Sequence, residues 1–110
     1  MKQGRIIIKK RKAATKEYLF TFIMNYLGGT YIEQVVASNE LEAMHAWIKQ
    51  LKTSEIKGFA VIDKKRIIRD NFDDEIPVAI NTTKNVWFCL VDTKKGYGHI
   101  NIIKTCPESL

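Results

Sequence analysis

The chain predicts an α+β fold: an antiparallel sheet of about five or six strands with one main helix, residues 39–52, packed on one face. Three observations predict it. Runs of aromatic and β-branched residues of strand length recur along the sequence. Gly28-Gly29 separates the first two of them. Only residues 39–52 combine a helical apolar period with a capping signal. At 110 residues the chain can bury one core without staples, and it reads as a single domain, 1–110. Two prolines, six glycines and no repeat or linker-like stretch argue against disorder.

The first element is a basic segment, 1–16. It holds Lys2, Arg5, Lys9, Lys10, Arg11, Lys12 and Lys16 and no acid. The other eleven bases of the chain are offset by all twelve acids, so the net charge of +6 belongs to this segment. Residues 5–9, with Ile6-Ile7-Ile8 between cations, suit an edge strand. Residues 10–16 suit a flexible, solvated loop.

Residues 18–26 and 30–37 form the next two strands. Primed two-residue turns need positive φ at both positions, so Gly28-Gly29 is the expected loop. That register sets Tyr26 opposite Tyr31, Met24 opposite Glu33, Phe22 opposite Val35 and Phe20 opposite Ala37. One face then carries Phe20, Phe22, Met24, Tyr26, Tyr31 and Val35 and is the expected core. The other carries Leu19, Ile23, Ile32 and Val36 among Thr21, Asn25 and Gln34, more apolar than a solvated face needs.

The helix follows, with Asn39 as cap and Glu42 three residues on. Acids at its start and Lys49 and Lys52 at its end suit the dipole. Leu41, Met44, Ile48 and Leu51, widened by Trp47, form the stripe expected against the aromatic sheet face. Residues 59–62 and 66–69 read as short strands around an Asp63-Lys64-Lys65 turn, and 71–75 as an acidic loop. Residues 76–80 contain Pro77, which confines a strand there to an edge. Residues 86–92 and 99–105 form a second hairpin.

No apolar run approaches the roughly 20 residues that span a bilayer, and nothing suits a signal peptide, so no membrane role and a cytoplasmic location are expected. Cys89 and Cys106 read as free thiols, Cys89 within a buried strand.

The sequence offers residues for four chemistries. Lys9, Lys10, Arg11, Lys12 and Lys16 form a candidate anion or nucleic-acid site, since clustered cations release counterions on binding phosphates; a solvated run is the simpler account. Asp63 and Lys65 match the acid-x-Lys spacing of metal-dependent nucleases, which needs a second upstream acid; Glu40 and Glu42 already serve the helix start. Asp70, Asp73, Asp74 and Glu75 offer oxygen ligands without the order of a calcium loop. His45, His99 and Cys106 satisfy no catalytic or zinc spacing. There is no phosphate loop, dinucleotide fingerprint or nucleophile elbow; no catalytic residue, metal or other cofactor is expected.

Gly28-Gly29-Thr30-Tyr31-Ile32-Glu33-Gln34, Glu42-Ala43 with Trp47, Asn85-Val86-Trp87 and Ile102-Ile103-Lys104-Thr105 resemble small uncharacterised bacterial α+β proteins of similar length. The resemblance covers residues 18–105, and implies a fold and no activity. Some proteins of this style are immunity proteins that neutralise a partner toxin, an analogy of class alone. The expected function is a non-enzymatic, immunity-type or regulatory interaction protein. Leu19, Ile23, Ile32 and Val36 are its candidate contact with a protein partner or a second copy; a sheet edge is another. The alternative is a nucleic-acid-binding module using the basic segment; a metal-dependent nuclease is third.

Overall fold

The computed structural model describes residues 16–74 and 76–105. β1 (Tyr18–Tyr26) and β2 (Gly29–Ala37) form a hairpin, followed by α1 (Glu40–Gln50) and α2 (Val61–Arg69). β3 (Val78–Ala79), β4 (Val86–Thr93) and β5 (Gly96–Thr105) complete a five-stranded sheet. All its pairings are antiparallel, in the order β2-β1-β5-β4-β3. The α+β fold is the one expected; the suggested strand over 5–9 lies outside the described residues. β1 and β5, the first and last of these strands, pair at the sheet's centre, with Leu19 opposite Thr105 and Asn25 opposite His99. Among the described residues no helix is long and apolar enough to cross a membrane.

Alternation along each strand decides the core. Phe20, Phe22, Met24 and Tyr26 of β1 are buried, with Val35 of β2, Cys89 and Val91 of β4, and Ile100 and Ile102 of β5. Both helices lie over this face. Trp47 of α1 stacks on Phe22 with centroids 5.4 Å apart and rings almost parallel; Phe59 tilts against Tyr26 at the same distance.

The hairpin turn differs from expectation. Its two loop residues are Leu27 and Gly28, at φ 46° and 83°, and Tyr26 pairs with Gly29. Every β1 residue therefore meets a β2 residue two places earlier than predicted; Phe22 faces Glu33 and Phe20 faces Val35. A two-residue slip preserves both faces because the side-chain period is two. Leucine holds the left-handed position because its side chain lies across two glycines. A Cβ at Gly58 would come within 2.6 Å of Leu27, and one at Gly96 within 3.3 Å.

α1 is capped as read, the Asn39 Oδ1 accepting from the Glu42 N–H at 2.9 Å. Its buried face is Ala43, Met44, Trp47 and Ile48; Leu41, expected in the stripe, is 49% exposed. The larger correction is α2. Residues 59–62 and 66–69, read as strands, belong largely to one helix that buries Asp63 and Ile67. Phe59, Asp63 and Ile67 stand four apart, one helical face rather than a strand's alternation. The 71–74 stretch is a 3-10 turn rather than an open loop, with Phe72 buried. β3 sits at the edge beside Pro77, as its sequence required. In the second hairpin the strands run longer than expected, and only Lys94-Lys95 separates Thr93 from its partner Gly96.

Candidate functional site

The sheet has a second face. On it the register places Leu19 opposite Val36 and Ile23 opposite Ile32, so the four apolar residues singled out from sequence form two cross-strand rungs. Between and beyond them lie polar rungs that are already satisfied. Gln34 donates to the Thr21 hydroxyl at 3.0 Å, and Thr30 donates to Asn25 Oδ1 at 2.9 Å. The patch continues across the sheet through Ile103 of β5, Val86, Phe88 and Leu90 of β4 and Val78 of β3. These five were missed in sequence, although the alternation with buried Cys89, Val91 and Ile102 marks them. Ile32, Val36 and Val78 are 61%, 58% and 61% exposed. No described element covers this face, and among the described strand residues it carries no lysine or arginine and one carboxylate, Asp92, at its margin beside Tyr97.

The opposite layer carries the cations. Asp63, 2% exposed, caps the start of α2: its Oδ2 accepts from the Ala60 N–H at 3.1 Å. Its Oδ1 accepts from the Lys94 N–H at 3.2 Å, tying the helix to the β4–β5 turn. Lys64 turns the other way and donates to the carbonyls of Lys49 and Leu51, both at 2.9 Å, capping the end of α1. Arg66 donates to the Asp92 carbonyl, and Arg69 pairs with Asp70 at 2.8 Å. A groove of about 350 Å3 runs between α2 and the turn, lined by Ile62, Asp63, Lys65, Arg66, Arg69 and Lys94.

Several residues singled out from sequence can be placed. The nuclease reading needed Asp63 and Lys65 side by side at the end of a strand. They are on a helix, about 200° apart around its axis, and both Asp63 oxygens already hold backbone N–H groups. His45 is exposed on α1 with its ring edge-on to Phe72, whereas His99 lies on the open sheet face near Phe88. Cys89 is buried in the core. Among the described residues no three of His, Cys, Asp or Glu gather as a metal site. Lys9, Lys10, Arg11, Lys12 and Cys106 lie outside the described residues, as do Glu75 and the side chains of Asp73 and Asp74. Lys16 is exposed just before β1.

Fold and surface together define a class, an α+β protein whose helices back one face of an antiparallel sheet and leave the other open. No family model, curated protein or solved structure matches the chain.

Proposed function

We propose that this is a non-enzymatic interaction protein of the cytoplasm that docks a protein through its open sheet face, and that the occupant is a second copy of the chain. The observation that carries the reading is the face's chemistry: nearly uncharged, apolar on all five strands, with its polar rungs bonded across β1 and β2. Such a surface meets its own copy about a two-fold axis without like-charge repulsion, the usual geometry of a homodimer. Four interstrand spacings of about 4.8 Å and strands of about 25–30 Å give a footprint of roughly 500–600 Å2. A standard interface buries about 800 Å2 of accessible surface per partner, so the face is of the right scale. Of the side chains that suggested chemistry, Asp63 caps α2 and has both oxygens on backbone N–H groups.

The test is mass by light scattering or sedimentation across a concentration series. The wild type is expected to show a dimer that Ile32→Lys and Ile23→Lys each convert to monomer. A wild-type monomer at every concentration, or a dimer untouched by both substitutions, overturns the assignment. Ile32 is exposed, so its substitution leaves the core intact.

A further inference from the structure

We propose that docking of a second copy on the open face is governed by pH through His99, whose imidazole must be neutral for the two copies to meet. The proposal rests on the dimer reading above and adds the condition under which the dimer forms.

His99 lies where a covering copy cannot avoid it. β5 is the middle strand of the five, and His99 has a strand partner on each side, Asn25 of β1 and Leu90 of β4. Its chain neighbours Gly98 and Ile100 are buried against the helical side, so alternation turns the imidazole to the open face. There it is exposed in the single copy, with its ring centroid 6.2 Å from that of Phe88.

Histidine is the side chain that ordinarily changes charge between pH 5 and 8. The chain has two, and the other, His45, belongs to α1 behind the sheet. Few ionisable groups face His99. β1 presents Ile23 and Asn25 and no charge. β4 presents Asp92 and β5 itself Tyr97, which are partners on the next rung of this face. Lys94 and Lys95 are farther off, in the turn beyond the Thr93–Gly96 rung. Of these residue types only histidine ordinarily changes charge in that range.

The sign follows from desolvation. In a single copy the exposed imidazole takes a proton while hydrated. Under a second apolar face it loses that water, and burial disfavours the charged form. Two-fold pairing would enclose two such charges in a surface with no carboxylate at its middle. Asp92 stands on the diagonal from His99, about 7–8 Å away across the strands. It is exposed at the margin, so its attraction acts on the single copy as it does on the pair. The dimer thus binds fewer protons than two separate copies. It is favoured above the ordinary histidine range and lost as pH falls through it.

The experiment is sedimentation equilibrium of the full chain at pH 7.5, 6.5 and 5.5 and constant ionic strength, with His99→Gln and His45→Gln beside the wild type. Each protein is compared with itself across pH, so the baseline affinity of His99→Gln does not enter. Glutamine is polar and neutral and the position is exposed, so the fold is kept; circular dichroism at each pH checks this. The wild-type dissociation constant is expected to rise about tenfold or more from pH 7.5 to 5.5, since each proton released couples assembly to pH by up to about tenfold per pH unit. His45→Gln should follow the wild type, and His99→Gln should change less than about threefold. A wild-type constant that is flat across the range, or that falls in acid, overturns the proposal. So does an acid loss that His99→Gln retains in full. A wild type that is monomeric at pH 7.5 removes the dimer itself and the switch with it, whereas a dimer of constant strength removes the switch alone.

Discussion

Asp63 shows how one residue type serves opposite readings. A carboxylate two places before a lysine looks like a metal ligand in a strand context; on a helix it is an N-terminal cap. Its two oxygens join Ala60 at the helix start to Lys94 in the hairpin turn. Removing it leaves two partly buried N–H groups without their acceptor, and charge-assisted bonds of this sort contribute about 1.5–3 kcal/mol each. Asp63→Ala is therefore expected to lower unfolding free energy by about 3 kcal/mol in a urea titration. Asp63→Asn should fall between, since an amide presents one oxygen and turns its NH2 toward the other donor. An unchanged midpoint for both would remove the capping role. Sequence could not reveal this, because the second partner is a backbone amide thirty-one residues away. The sides taken by Leu19, Ile23, Ile32 and Val36 were legible, since strict alternation leaves each side chain one choice. Their pairing was not, because it depends on Leu27 accepting positive φ against Gly58 and Gly96.

At the level of elements, α1 was legible and α2 was not. α1 has a cap residue, acids first, a lysine last and an apolar period, all agreeing. α2 carries Val61, Ile62, Ile67 and Ile68, residues that favour strands, around an Asp-Lys-Lys that reads as a turn. Tertiary contacts override that preference: Ile67 enters the core, Asp63 reaches the turn, and Lys64 caps α1. The two helices thus stabilise each other end to side. Lys64→Met should lower stability by about 1–2 kcal/mol, the scale of hydrogen bonds from a charged donor, whereas Lys65→Met, one residue on and exposed, should stay within about 0.5 kcal/mol. Thermal or denaturant unfolding of the pair measures the difference. Equal effects would show that the Lys64 contacts add nothing.

The whole molecule is two-sided, with a nearly uncharged sheet face on one side and a layer of two helices on the other. The chain's excess charge was legible at residues 1–16 because it is contiguous there. Stability should also be graded across the sheet. β1 and β5 are flanked by strands on both sides, whereas β3 is two residues long at an edge. Native-state hydrogen exchange is expected to protect the amides of Phe22, Ile100 and Ile102 most strongly. Those of Val78 and Ala79 should exchange through low-energy local opening. Protection of β3 equal to that of the central strands would contradict this ordering.

The central pairing of the first and last strands has a mechanical consequence. β1 and β5 run antiparallel, and Leu19 and Thr105 are partners at one end of their ladder. A force pulling outward at these two positions acts across that ladder, not along it. It loads one rung at a time, beginning with the Leu19–Thr105 pair and travelling toward Asn25 and His99. The domain should therefore yield to tension by unzipping its central ladder at low force from one end, while a pull applied along the ladder, between the Leu19 end of β1 and the Gly96 end of β5, would shear every rung together and meet far greater resistance.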